Sequence, residues 1–518
     1  MLKNTSKNNY SLSSPFLQPQ NLLFLNIPES ELVDYLQEAH DLISREPVIL
    51  EKIEADLDVH AKQKKRLRLL DKYWELSQSR QLPTIEIASV EIKADELRLQ
   101  GGRSRMSAYL VYMFLMIRGF WSGVKCSEFQ LLLAESKTIQ LFLDSYNEGK
   151  MPGFSTISEN INSVSNETRE FILDAQIRMI SDEGLDDFKS MTIDSTGVSG
   201  NSAWPTDSGI LTNLVIRTFH RGKKLHKFGI PNMADRHFPD IIKTMKELSK
   251  KIGFTVKKRD SKVKRKKIYR KLLKEARSAH KSFESELKKV KKSFSHLNIE
   301  PSRDFKLKRL FEWMEDDVNS ILKVIGYCSQ RINHNETTPS KDKILSLSDK
   351  SVGFIKKGDR EAVIGYKPQL GRSKNGFIPA FKVPEGNAAD SGEFSKIAGD
   401  GIRRTGVVPD SISCDDGYAN RSVRDELLAY GVKVVSISGS KGKKITSQED
   451  WESQEYVEAR NNRSAVESLM FTIKYGFNFG KVVRRGIENV RAELLEKVLA
   501  YNFCRMSEVR KWPKVLAA

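Results

Sequence analysis

The chain has 518 residues, 39% of them hydrophobic and 30% charged, which suits a folded protein of roughly two to four domains with a sizeable core. Its 86 Lys and Arg against 67 Asp and Glu leave a formal charge of +19. Such an excess favours a polyanionic partner, because basic side chains release the counterions condensed on nucleic acid; ribosomal or membrane-surface partners fit the same balance. Four scattered cysteines, Cys126, Cys328, Cys414 and Cys504, form no CxxC pair, which argues against a disulfide framework or a zinc module.

The opening residues, MLKNTSKNNYSLSSPF, lack the apolar core of a signal peptide, so the expected location is the cytoplasm. Residues 1–25 read as a polar, disordered arm. Residues 26–182 read as helical. They include KQKKRLRLLDKYW at Lys62 to Trp74, with one packing face and one basic face, and the apolar run Ala108 to Ile117. That run is too short to span a bilayer and is expected to be a buried helix. Short helices with tight turns over Ser104 to Asp182 suit a helix-turn-helix-like DNA-binding module.

The period changes at FKSMTIDSTGVSG, Phe188 to Gly200. Met191 and Ile193 alternate with polar neighbours and the run stops at Asp194, so a strand ending in a turn is expected. A long helical insertion follows over 209–349. Lys250 to Lys274 within it hold thirteen Lys and Arg and one acid, Asp260, a density that suits a phosphate-tracking surface. KLLKEARSAHKSFESELKKVKKSF, which begins at Lys271, has the period of a helical hairpin or a coiled helix pair.

Strands return from Val352. EAVIGYKPQ and NGFIPAFKVPEG are expected as two strands joined by a basic turn around Arg372 to Lys374. SGEFSKIAGDGIRRTG is a helix closing on glycine, and VPDSISCDDGYAN is a strand ending on acids. NRSVRDELLAYG is a helix and VKVVSIS a buried strand. RSAVESLMFTIKYG, Arg463 to Gly476, is an amphipathic helix. The succession of one strand, an insertion and ββαβαβα defines an α/β class with a mixed sheet.

Three acids occupy comparable places. Asp194 ends one strand, Asp415 or Asp416 ends a second, and Glu467 lies on the amphipathic helix. Carboxylates at strand ends and on a covering helix can converge at one edge of an α/β sheet. Such hard oxygen donors suit Mg²⁺ or Mn²⁺, and two ions can serve phosphodiester transfer. On the helix, Arg463, Glu467 and Lys474 fall within roughly 40° of one another. Taken alone, that line is a surface salt-bridge ladder.

The blocks together resemble the DDE transposases of bacterial insertion sequences. IDSTGVSGNSAWPTDSGILTNLV is similar to their first-aspartate block. VPEGNAADS and SCDDGYANRSVRDEL are similar to the second, whose Asp-x-Gly-Tyr pattern selects Asp415 over Asp416. Arg463, Glu467 and Lys474 match the spacing of the Tyr-x2-Arg-x3-Glu-x6-Lys signature of one branch. Where that signature has tyrosine the chain has Arg460, and Tyr456 lies one helical turn earlier.

The resemblance implies a ribonuclease-H-like catalytic domain over 183–208 and 350–510. Asp194, Asp415 and Glu467 would be its catalytic and metal-holding residues, with two Mg²⁺ or Mn²⁺ ions. Arg463 and Lys474 would bind DNA phosphate. It also implies cleavage at transposon ends, strand transfer into double-stranded target DNA, a dimer on DNA and a nucleoid-associated location. The alternatives are a catalytically inactive, transposase-derived DNA-binding protein and a metal-dependent nuclease that does not join. Asp207 is expected to cap a helix, with a catalytic role as the minority reading, and Trp204 to be packed, with stacking on an unpaired base as the alternative; GSKGKKIT lacks the Walker spacing, which argues against ATP binding.

Overall fold

Alternation of apolar and small polar residues builds the central sheet of this computed structural model. It describes residues 31–80, 106–122, 124, 126–143, 152–230, 237–255, 261–294, 300–356 and 361–511; the polar arm expected over 1–25 lies outside them. The described residues divide into two compact units. The first takes 31–60, 106–201 and 351–511, and the second 61–80 and 202–350.

The first unit begins with α1 (Glu31–Arg45) and the start of α2 (Val48–Arg80). It continues with α3 (Ala108–Phe120), α4 (Cys126–Glu135), α5 (Lys137–Leu143), α6 (Phe154–Ser163) and α7 (Asn166–Asp182). The expected buried helix is α3, buried along nearly its whole length. Next come β1 (Ser190–Ser195) and the two-residue β2 (Val198–Ser199).

After residue 350 the chain forms β3 (Gly353–Ile355), β4 (Val363–Tyr366), β5 (Gln369–Ser373) and β6 (Ala380–Lys382). The expectation of two strands with a turn at Arg372 needs correction here. EAVIGYKPQ is divided at Lys367–Pro368 between β4 and β5, which belong to different sheets. Arg372 lies inside β5, opposite Thr192 of β1, and the turn falls just beyond it, where Gly376 (φ +95°) donates its N–H to Ser373. Proline cannot donate to a ladder, so Pro368 marks the change of sheet.

The remaining elements are α12 (Asp390–Thr405), β7 (Ser411–Cys414), α13 (Arg421–Ala429), β8 (Val434–Ile437), α14 (Ser440–Ile445), α15 (Gln448–Glu452), α16 (Gln454–Asn462), α17 (Ser464–Gly476) and α18 (Ile487–Lys511). Gly406, left-handed at φ +68°, closes α12 as expected. Five strands form one sheet in the order β6-β5-β1-β7-β8. β1 is parallel to β7, β7 to β8, and β5 is antiparallel to both β1 and β6. A separate three-stranded antiparallel sheet has the order β2-β4-β3.

The two faces of the large sheet differ in kind. Met191, Ile193, Ile412 and Cys414 pack with Phe394, Ile397 and Ala398 of α12. The alternate positions Thr192, Ser413 and Ser436 share one register row. Thr192 and Ser413 join hydroxyls at 3.0 Å, and Ser436 donates to the carbonyl of Tyr456 on α16. Small side chains let α16 come close, and the same alternation carries Asp194 to this face.

α1, α3 and α7 pack against α18, so the N-terminal helices and the C-terminal helix share one interior. Its centre is a charge cluster. The Glu496 carboxylate, 2% exposed, accepts from Arg118 (2.7 Å), Arg169 (2.9 Å) and Arg484 (2.6 Å). Burial alone would push this carboxyl up, but Arg118, Arg484 and Arg169 together hold it well below the usual carboxylate range. Burial, with Arg484 alongside, brings the Arg118 guanidinium down to about 10.

The second unit holds the rest of α2 and a bundle of α8 (Asp207–Lys223), α9 (His237–Phe254), α10 (Ser261–Phe294) and α11 (Pro301–Asn333). The expected hairpin or helix pair is instead one continuous α10 that packs on α9 and α11 through Leu272, Leu273, Ala276, Ala279 and Phe283. Thr206, not Asp207, caps α8, its hydroxyl accepting from Gly209 N at 3.1 Å, while Asp207 pairs with Arg331 at 2.9 Å. Trp204 is 61% exposed, contrary to the packing expected of it.

Exposed charges on α10 are uneven. Near its C-terminus Lys288 pairs with Glu284 and Lys289 with Glu286. Lys264, Lys267, Arg270, Lys271, Lys274 and Lys281 are exposed and form no ion pair among the described residues. Like charges three and four residues apart cost about 0.2–0.5 kcal/mol per pair. The buried face carries that cost.

Glu496→Gln should destabilise the first unit by about 3–5 kcal/mol, since three guanidinium groups lose the buried anion they share; urea unfolding at neutral pH measures it. Glu496 is more acidic folded than unfolded, so its contribution is complete above the unfolded carboxylate range and shrinks as pH falls below it. The difference between wild type and variant should therefore narrow on acidification.

Candidate active site

Asp194 is the penultimate residue of β1 and Asp415 follows β7. The parallel register that pairs Ile193 with Cys414 puts the two acids side by side on strands about 4.8 Å apart. Asp194 Oδ1 accepts from Ser195 N at 2.6 Å, and Asp415 Oδ1 accepts from Gly417 N at 2.9 Å. Asp415 is thereby fixed by the turn that ends its strand, and Asp194 by the last residue of its own strand.

Glu467 lies on α17, which packs on β1 through the face carrying Val466, Leu469, Met470 and Ile473. All five residues singled out from the sequence, Asp194, Asp415, Arg463, Glu467 and Lys474, line one cleft of about 1070 Å³. Ser195, Thr196, Asp416, Gly439, Met470, Phe471 and Tyr475 are also in its wall.

The carboxylates are not gathered into a finished metal site. Among the described residues no three acidic, histidine or cysteine side chains converge closely enough to hold an ion. Glu467 is 65% exposed, and its Oε1 is 3.3 Å from Arg463 Nη2. The paired aspartates supply the hard oxygen donors that a divalent cation requires.

Asp416 faces other partners. Its Oδ1 accepts from Lys441 N at 2.7 Å and Gly442 N at 2.9 Å, tying the start of α14 to the end of β7. Gly439, at φ +101°, passes so close that a Cβ there would lie 2.7 Å from the Asp416 side chain. GSKGKKIT thus forms α14 and its lead-in.

Neither Arg460 nor Tyr456 lines the cleft. The helix is interrupted at Arg463, between α16 and α17. Tyr456 is 2% exposed; its hydroxyl accepts from Ile437 N at 3.0 Å and lies 3.1 Å from Ile437 O. Arg460 lies over the Trp451 ring, 4.9 Å from its centroid. Tyr456 therefore holds the end of β8 against α16.

Two groups escaped the sequence reading. Phe471 and Tyr475, 65% and 76% exposed, stand 4.6 Å apart between ring centroids on the cleft wall. They fall within about 80° of Glu467 around the helix, so the signal was two aromatics on the charged side rather than the apolar one. Behind the aspartates, Asp390 pairs with Lys367 at 2.8 Å and accepts from Gln369 at 2.9 Å, while Tyr418 donates to Gln369. Burial raises the Asp390 carboxyl, and the hydrogen bonds from Lys367 and Gln369 more than reverse that, leaving it below the ordinary range. The Cys414 thiol is pushed up by burial and then by Asp415 and Asp194.

Residues 329–503 match the family model described as the transposase DDE domain. The match supports a DDE transposase; it takes in Asp415, Arg463, Glu467 and Lys474 and leaves Asp194 outside. No curated protein and no solved structure matches the chain. No helix among the described residues is long and apolar enough to cross a membrane.

Tyr456→Phe should cost about 1–3 kcal/mol, because the Ile437 N–H is left without its acceptor in the interior. Chemical denaturation measures the loss. Unchanged stability combined with lost DNA processing would instead return Tyr456 to the signature tyrosine's role.

Proposed function

We propose that the protein is a transposase that cuts DNA at transposon ends and joins the freed end to target DNA, using Mg²⁺ or Mn²⁺. The observation that carries this reading is the meeting of two strand-end aspartates with Arg463, Glu467 and Lys474 in one cleft. The strand order, with a central β1 flanked by antiparallel β5 and parallel β7, supports a ribonuclease-H-like core. The Arg-x3-Glu-x6-Lys spacing supports the Tyr-Arg-Glu-Lys branch of insertion-sequence enzymes.

Asp194, Asp415 and Glu467 would hold the cations. Bound there, divalent ions would supply Lewis-acid chemistry for phosphodiester cleavage and joining. Arg463 and Lys474 bind phosphate beside the scissile bond, Arg463 through a planar fork that matches phosphate oxygens. Arg463 has to exchange Glu467 for phosphate. An exposed i,i+4 pair is worth only about 0.3–0.5 kcal/mol, so arriving DNA displaces it at little cost. The same exchange frees Glu467 to turn toward the aspartates.

The short helices between Ser104 and Asp182, among which α4 and α6 pack together, carry the helix-turn-helix-like region assigned to end recognition. The working form is a dimer on DNA in the nucleoid. The second reading, a DNA-binding protein without catalysis, is favoured by one observation, the engagement of Glu467 with Arg463.

Asp194→Ala, Asp415→Ala and Glu467→Ala should each abolish Mg²⁺-dependent cleavage of transposon-end DNA while binding of that DNA stays nearly intact. Substantial cleavage by any of them removes that residue from the site, and an inactive Asp416→Ala beside an active Asp415→Ala shifts the register by one. Wild type that binds ends and never cleaves them establishes the second reading. Arg463→Ala should lower strand transfer, and transfer at the wild-type rate refutes its assignment. Cleavage without joining makes the protein a nuclease.

A further inference from the structure

We propose that the exposed face of α10 between Lys264 and Lys281 binds the phosphate backbone of double-stranded DNA without reading its sequence. This takes the DNA partner from the preceding reading but does not depend on the catalytic carboxylates.

An ordinary solvated helix face is laced with opposite charges at i,i+3 and i,i+4. The C-terminal part of α10 is built that way, through Lys288–Glu284 and Lys289–Glu286. The stretch before it is not. Lys264, Lys267, Arg270, Lys271, Lys274 and Lys281 are exposed and fall within about 120° of one another around the helix axis. The one acid between residues 261 and 281, Glu275, is half-buried and forms no ion pair with them among the described residues.

The stripe is held rigid from below. Tyr269, Leu272, Leu273, Ala276 and Ala279 fill the bundle core from the opposite side of the same turns. The α-helix from Lys264 to Lys281 extends about 26 Å. That is roughly three quarters of a turn of B-DNA, whose turn is about 34–36 Å. Each DNA strand carries a phosphate about every 3.4 Å of axis, so a straight row of cations meets a continuous row of anions. Lysine, with a mobile ammonium on a long stem, neutralises phosphate as a point charge and does not need a fixed base edge.

The test uses the full-length protein in metal-free buffer with a fluorescent, random-sequence DNA duplex several turns long, titrated across a NaCl series. One variant carries Lys267→Gln, Lys271→Gln, Lys274→Gln and Lys281→Gln; a second carries Lys→Arg at the same four positions. Circular dichroism checks that both are folded. The glutamine variant should bind about tenfold or more weakly near 0.1 M salt, and the slope of log affinity against log salt should become shallower by about 0.9 for each phosphate no longer neutralised. The arginine variant should keep the wild-type slope.

A glutamine variant with the wild-type affinity and slope overturns the proposal. Loss of binding to phosphatidylserine vesicles, with DNA binding unchanged, overturns it too and reassigns the face to a lipid surface. Because the binding is measured without metal, an uncleaved duplex says nothing against the α10 face. Equally, an unchanged salt slope says nothing against the cleft.

Discussion

One buried carboxylate orders the first unit. Glu496 on α18 receives guanidinium groups from α3, from α7 and from the segment that follows α17. A lone charge in that interior costs several kcal/mol, and each arginine without its partner adds to that cost. The nearby Lys497 ammonium donates to the carbonyls of Asn478 and Lys481 and to Glu493, fixing the exit of α17. Val482 N then donates to Ser199 O, next to the end of β1. A chain of buried polar bonds thus runs from the N-terminal helices to the two elements that carry Asp194 and Glu467.

The cleft that results is half made. The aspartates are fixed at the ends of their strands and by neighbouring register, whereas Glu467 rests on an exposed pairing with Arg463 that is weak by the standards of the buried cluster. Strong bonds hold the frame, and a weak one holds Glu467. Phe471 and Tyr475 line the same wall, exposed where large aromatic side chains are ordinarily buried. The basic face of α10 follows a similar logic, its repulsion borne by a well-packed opposite side.

Much of this was legible in the chain. Period-two alternation at Met191 and Ile193, the Asp415–Asp416–Gly417 turn and the Gly406 stop are local signals, and each produced the expected element. The Arg463, Glu467 and Lys474 spacing located the charged stripe because helix geometry alone converts spacing into direction. Less legible were the splitting of EAVIGYKPQ between two sheets and the continuity of α10. Both depend on which distant strand or helix is the partner. Tyr456 shows the limit best: it lies one helical turn before the signature's tyrosine position, yet it is buried and its hydroxyl bonds to Ile437.

The sequence by itself determined the identities and spacing of the acids, the kind of element on which each lies, and the uneven charge of the insertion. Those follow from backbone periodicity and turn chemistry, which act over a few residues. Only the tertiary structure decided that Asp194 and Asp415 stand side by side, that Asp416 is spent on α14, and that α3 and α7 close around the same carboxylate as α18. Such choices are made by pairings between residues from 25 to 378 positions apart, whose energies come from burial and desolvation that no local pattern encodes.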